Sequence, residues 1–295
     1  QNLYTLYIQP NSNINMLNSK NIILFLLIFA LFLGATVEIS EGSIPFGILL
    51  FILAILLISR IKVGDAYVIK QSRLPMFVGA LIVASDIAYN VFTHSKLGTL
   101  DIMTFLLGIS LIAHNINNEE IRRMGKFGAS MAATFIVLFL LFFSFFNHLN
   151  IDFTHLFDHY VVLLPSVFII NAIGIPIQVI ATETVSIQGV EEMSVIIGGP
   201  CSGLYSMFLL IGIMVAYTRI EHIERGKFYS LLLISIVVAY LANLTRVITL
   251  YIVAFYYGEA AMYAVHVHLG WIIFVIVVAV LLYVLDKMSR VTTST

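Results

Sequence analysis

The 295-residue sequence predicts an all-α polytopic membrane fold. It has about eight transmembrane helices, an outer amphipathic or re-entrant helix and a short extracellular β-hairpin ahead of a lone cysteine. Three observations carry this expectation. The chain is 60% hydrophobic and 11% charged, with a mean hydropathy of +1.02, more apolar surface than a soluble core of this length can hide. Its apolar residues come in long runs rather than as amphipathic stripes. Its Lys and Arg residues gather between alternate runs, as in proteins threaded through a bilayer.

The runs, in order, are Ile22–Val37, Ile44–Ile58, Leu74–Phe92, Leu100–Ala113, Phe127–Phe146, Leu204–Tyr217, Phe228–Tyr257 and Val265–Leu285. Each has roughly the length that crosses a bilayer, the shorter ones marginally. Residues 1–15 (QNLYTLYIQPNSNIN) are polar and Asn-rich, read as a disordered tail or an expression remnant ahead of Met16. One integral-membrane domain is expected over 16–290. Lys20 before the first run imitates a signal peptide, but no small-residue cleavage site follows and seven more runs do, so this run is read as the first span.

Basic residues mark the cytoplasmic side. Lys20; Arg60, Lys62, Lys70 and Arg73; Arg122, Arg123 and Lys126; Arg219, Arg225 and Lys227; and Lys287 with Arg290 all fall on one side if eight spans cross the plasma membrane with both termini inside. Only Lys96 falls in an outer loop, and only Arg246 inside a span. A ninth apolar segment, VVLLPSVFIINAIGIPIQVI (161–180), would break this pattern if it crossed. The insertion 147–200 is therefore placed outside, with 161–175 an amphipathic or re-entrant helix; nine spans are the alternative. In TETVSIQGVEEMSVIIGGP (182–200), Val185 and Ile187, then Met193 and Val195, alternate with polar neighbours around Gly189. That pattern reads as a hairpin, and Gly198-Gly199-Pro200 then turns the chain into Cys201.

Cys201 is the only cysteine, so it is either a small buried hydrophobe or a reactive thiol. Phe228–Tyr257 would be about 45 Å long as a helix, which puts Arg246 near the outer boundary of a hydrocarbon core about 30 Å thick. Unpaired there it costs about 2.5–3.5 kcal/mol, so Arg246 either holds a functional partner or snorkels to the headgroups. Asn243 shares its helix face. His266 and His268 stand at the outer start of the last run and point to different faces of a helix. A His-X-His metal site has only Glu259 nearby to complete it; no metal, cofactor or nucleic acid is expected. A thiol, a cation and an imidazole at one depth have the parts of acyl transfer through a thioester: a nucleophile, an oxyanion stabiliser and a proton carrier.

PCSGL (200–204), NLTR (243–246) and HVHLGW (266–271), in that order on successive runs, resemble the motifs of the exosortase/archaeosortase transpeptidases, the archaeal branch more than the bacterial. The resemblance covers about 160–285, with the catalytic core at 196–285. It implies a membrane cysteine protease or transpeptidase acting on exported proteins that carry a C-terminal signal: a short motif, a hydrophobic helix and a basic tail. The new C-terminus would pass to an acceptor, a membrane lipid being one candidate. It further implies Cys201 as nucleophile, Arg246 as oxyanion stabiliser or substrate-orienting cation, and His266 as general acid/base, since His266 stands four residues before Gly270. Asn243, Ser202, Gly203 and His268 would be supporting residues.

Other classes stay open at this stage. Arg246 and Asp86 could bind an ion or anionic substrate in a transporter, although no internal repeat or pair of broken helices accompanies them. In a non-catalytic assembly subunit Cys201 would only be packed. A rhomboid-like serine protease fits poorly, leaving Ser202 as a minor candidate nucleophile.

Overall fold

The computed structural model describes residues 24, 26–28, 30–32, 34–35, 44–58, 73–93, 98–116, 118–198, 202–219 and 225–292. Residues 1–15 and the Gly199-Pro200-Cys201 segment, expected from sequence to turn the chain into the sixth run, lie outside the described residues. The chain is mostly helical. The described positions between 24 and 35 are helical, followed by Ile44–Ile58 (α1), Arg73–Thr93 (α2), Thr99–His114 (α3) and Glu119–Phe139 (α4). The start of α4 is written in the NNEE sequence: the Asn118 side chain accepts the Ile121 N–H at 3.1 Å, filling one of the donors a helix start leaves open. Beyond Phe139 the helix passes through a π-helical turn, Leu140–Phe145, into Phe146–His148 (α5).

After a four-residue turn that bends at Asn150 (φ 57°), a second composite helix runs through Phe153–Phe157 (α6), the π-helical turn Asp158–Leu163 and Leu164–Ala172 (α7). Three strands follow, Ile177–Ala181 (β1), Thr184–Gln188 (β2) and Glu192–Ile196 (β3), then Leu204–Thr218 (α8) and Arg225–Thr292 (α9). The last is two limbs, 225–257 and 259–292, broken at Gly258 (φ 81°, ψ −175°), a backbone conformation that glycine adopts readily and other residues rarely. Among the described residues, four helices are long and apolar enough to cross a membrane: Arg73–Thr93, Ile121–His148, Phe153–Ala172 and the broken Gly226–Leu281. Three shorter apolar helices accompany them, Pro45–Leu57, Thr99–His114 and Leu204–Thr218.

The packing gives the bundle two distinct ends. A Cβ at Gly212 would lie 2.8 Å from the Met131 carbonyl; Phe135 meets Phe208 with ring centroids 6.1 Å apart, and Phe143 meets Tyr205 at 5.4 Å. Residue numbers rise along α4 as they fall along α8, so these helices are antiparallel. Gly79 against Gly108 and Gly125 against Ser110 give the same relation for α2 with α3 and α3 with α4. Arg73, the Arg122–Lys126 cluster and Arg219 therefore share one end of the bundle. The strands lie at the other.

The bundle core is built from Phe127, Met131, Phe135, Phe208, Ile213, Met214, Ala239 and Val277 with their neighbours. A second core lies under the sheet: Val162, Leu163, Val167 and Ile170 of the composite helix, Ile177, Val185 and Ile187 of the strands, and Val247, Tyr251 and Ala254 of α9. The last three, at i, i+4 and i+7, form one helix face.

Three expectations are corrected here. The strands form a three-stranded antiparallel sheet in the order β1-β2-β3, not a two-stranded hairpin. The expected hairpin is present within it, Val185 opposite Val195 and Ile187 opposite Met193. β1 had been read as the tail of the apolar segment 161–180; instead Ile177 pairs with Ile187, and both backbone groups of Ile177 bond the Asn171 side chain, its N–H at 2.9 Å and its carbonyl at 3.2 Å. The helix expected over 161–175 begins at Phe153 and ends at Ala172, so most of HLNIDFTHLFDHY (148–160), read from its sequence as a loop, is helical. No loop separates the last two predicted spans: helix resumes directly after Gly258.

Candidate active site

The three motifs arrive on α8 and on the two limbs of α9. Ser202 and Gly203 form the turn that opens α8. Gly203 takes a left-handed conformation (φ 82°) just before Leu204, and a Cβ there would fall 2.4 Å from Asn243 Cγ. Asn243 uses this closeness: its Nδ2 donates to the Ser202 carbonyl at 2.7 Å. Ser202, Gly203 and Asn243 are all buried. This bond fixes the residue that follows Cys201 to the NLTR helix turn, and it engages the Ser202 backbone, not its hydroxyl. Cys201 itself lies outside the described residues.

Gly258 brings the limbs together. Arg246 and Gly270 are equidistant from it in sequence, and so are Asn243 with Ile273, Ala242 with Phe274, and Ala239 with Val277. These eight residues, with Ser206 and Leu210 of α8, line one cavity. It holds about 20 Å³, room for a water but not for a side chain. Its polar lining is Ser206, Asn243 and Arg246; the rest of its side chains are apolar.

The Arg246 guanidinium fills a notch in the second limb. A Cβ on Gly270 would lie 2.8 Å from Arg246 Nη2, so the close approach depends on glycine at 270. From there Arg246 Nη2 donates to the His266 carbonyl, a long bond at 3.4 Å. His266 is half-buried. His268 faces elsewhere: its ring packs edge-on to Phe46 of α1, centroids 5.8 Å apart, near Trp271.

Of the residues singled out from sequence, the structure thus joins Ser202, Gly203, Asn243, Arg246 and the His266 backbone, and sends the His268 ring to α1. Asp86 is on α2, whose main packing partner is α3, and is not among the cavity's lining residues. Among the described residues no three His, Cys, Asp or Glu side chains converge as a metal ion requires.

Two features were not anticipated. Tyr240, one helix turn below Asn243, donates to the Val161 carbonyl at 3.0 Å, tying the α9 site face to the π-helical turn 158–163. Asp158, in that turn, is buried at 2% exposure. The signals were a tyrosine in register with NLTR and an acid inside the apolar stretch LFDHYVV.

No curated protein and no solved structure matches the chain. The family model for transmembrane exosortases matches residues 21–283. That span holds the sheet, all three motifs and the helices as far as position 283. This chain belongs to the transmembrane exosortase family.

Proposed function

We propose that the chain is a membrane-embedded cysteine transpeptidase whose nucleophile is Cys201, with Arg246 and His266 as its electrostatic and proton-transfer partners. Exosortases act on exported proteins with C-terminal sorting signals; here the substrate is a tripartite signal of motif, hydrophobic helix and basic tail. The observation that carries the reading is the convergence of the Ser202–Gly203 turn with Asn243 and Arg246, and of Arg246 with the His266–Gly270 helix turn.

The chemistry follows from these groups. Cys201 stands three residues before α8 begins, and a helix N-terminus and a nearby cation both favour a thiolate. The thiolate adds to the scissile carbonyl, and Arg246 stabilises the oxyanion that forms. Collapse of the intermediate breaks the C–N bond; the amine leaves with a proton from His266, and a thioester remains. An acceptor, a lipid nucleophile in this reading, gives its proton back to His266 and attacks the thioester, releasing the thiolate. Asn243 holds the turn that presents the nucleophile.

The threading reading has eight spans with both termini cytoplasmic, and the sheet and 147–200 outside. Counting from Gly226 at about 1.5 Å per residue, a hydrocarbon core of about 30 Å ends near Arg246. The part of α9 that carries the sheet lies beyond it, and open sheet edges do not occur in hydrocarbon.

The test is alkylation of Cys201 by an impermeant reagent as a function of pH, in membranes. An unperturbed thiol titrates near a pKa of about 8.5. The expected result is labelling from the extracytoplasmic side with a clearly lower midpoint, raised in Arg246→Ala and His266→Ala and unmoved in His268→Ala. A thiol that is inert, reached only from the cytoplasm or indifferent to both partners would overturn the assignment.

A further inference from the structure

The break at Gly258 poses a problem that the limbs do not solve themselves. The 225–257 limb ends with carbonyls, and the 259–292 limb begins with N–H groups, that have no partner within their own helix. Both are met by the tip of the β2–β3 hairpin. The Val190 N–H donates to the Phe255 carbonyl at 2.9 Å. The Glu191 carboxylate accepts the Glu259 N–H at 3.0 Å, capping the second limb from another element, where the helix dipole favours negative charge.

The fit is tight on both sides. A Cβ at Gly189 would fall 2.2 Å from the Phe255 carbonyl oxygen, and one at Gly258 2.8 Å from Glu191 Oε2. The hairpin tip thus grips the last turn of one limb and the first of the next.

That grip has a consequence twelve residues away on each limb. Arg246 meets the second limb at the notch that Gly270 leaves. A slip of one residue is about 1.5 Å of rise and 100° of rotation, which would put a side chain where the guanidinium now lies. We infer that Glu191 is a positioning residue: through the hairpin tip it sets the register of the two limbs, and with it the placing of Arg246 against the His266–Gly270 turn. Its consequence for catalysis rests on the transpeptidase reading above; the register itself does not. Asn243 and Tyr240 fix the first limb to α8 and to the π-helical turn, and Glu191 is a polar contact by which the sheet engages the second limb's first turn.

Two measurements separate the inference from the reading it rests on. The first is oxidative cross-linking between cysteines placed at Ala239 and Val277, which line the cavity from opposite limbs, in a Cys201→Ser background. The second is processing of an exported substrate with a C-terminal signal by chains that keep Cys201. Glu191→Ala and Gly189→Ala are expected to lower the 239–277 cross-link several-fold and processing roughly tenfold to a hundredfold. Glu191→Gln, which keeps the acceptor oxygen, should restore both. Unchanged cross-linking in Glu191→Ala and Gly189→Ala overturns the inference. So does processing lost with the cross-link intact, or a cross-link lost with processing intact. If the parent chain processes nothing, the transpeptidase reading fails, and the cross-link alone decides whether the hairpin tip sets the register.

Discussion

A single methyl group at Gly270 would fall 2.8 Å from Arg246 Nη2, and that distance gives the most direct test of the site at the level of one residue. Gly270→Ala adds nothing a helix dislikes; alanine is the better helix former. The fold should persist while the guanidinium is pushed out of its notch. If Arg246 has the proposed role, processing should fall roughly a hundredfold, a loss that a misplacement of about 1 Å can cause, with the thermal unfolding midpoint held or raised. Arg246→Lys should lose activity as well, because a lysine is a point charge without the planar fork of a guanidinium. Arg246 stood out in the sequence because a charge is costly inside a membrane span, Asn243 because it shares that helix face, and Cys201 because it is the only cysteine. The part played by Gly270 was visible only as a spacing. That it is a seat for Arg246 depends on two limbs meeting, and periodicity within one helix carries no information about that.

At the scale of elements, the sheet and the composite helix form one unit with their own core. Ile187 is fully buried in it, between Ile177 and Met193 on neighbouring strands. Ile187→Ala should cost about 2–5 kcal/mol, and limited proteolysis should find the loss first in 173–198, before the bundle opens. A uniform loss across the whole chain would mean that the two cores unfold together. The β2–β3 hairpin was legible because Val185, Ile187, Met193 and Val195 alternate with polar residues. β1 was not, because only Ile177 of its five residues is buried and it follows directly on an apolar helical run. Its strand identity comes from pairing with β2 and from the Asn171 side chain, both tertiary facts. Glu191, one of two adjacent acids at the hairpin tip, carried no signal in the sequence for the same reason: its partner is the start of a distant helix limb.

At the scale of the whole molecule, the antiparallel packing collects Arg73, Arg122, Arg123, Lys126 and Arg219 at one end of the bundle and the sheet at the other, so threading can be tested with two exposed positions. In a Cys201→Ser background, a cysteine replacing Val190 (70% exposed) should react with an impermeant reagent from the extracytoplasmic side. One replacing Ile116 (42% exposed) should react only from the cytoplasmic side. Labelling of both from one side would overturn the threading. Read along the chain, the residues were enough to give a multi-pass helical membrane protein and where most of its helices begin and end. Those properties follow from the local exclusion of charge from hydrocarbon and from the 3.6-residue repeat, and both can be read along a chain. The break at Gly258 that folds α9 back on itself, the third strand, the Gly270 notch and the capping of the second limb by Glu191 were decided only by the tertiary structure. Each is a contact between segments far apart in sequence, where the backbone groups left open by one element are satisfied by another.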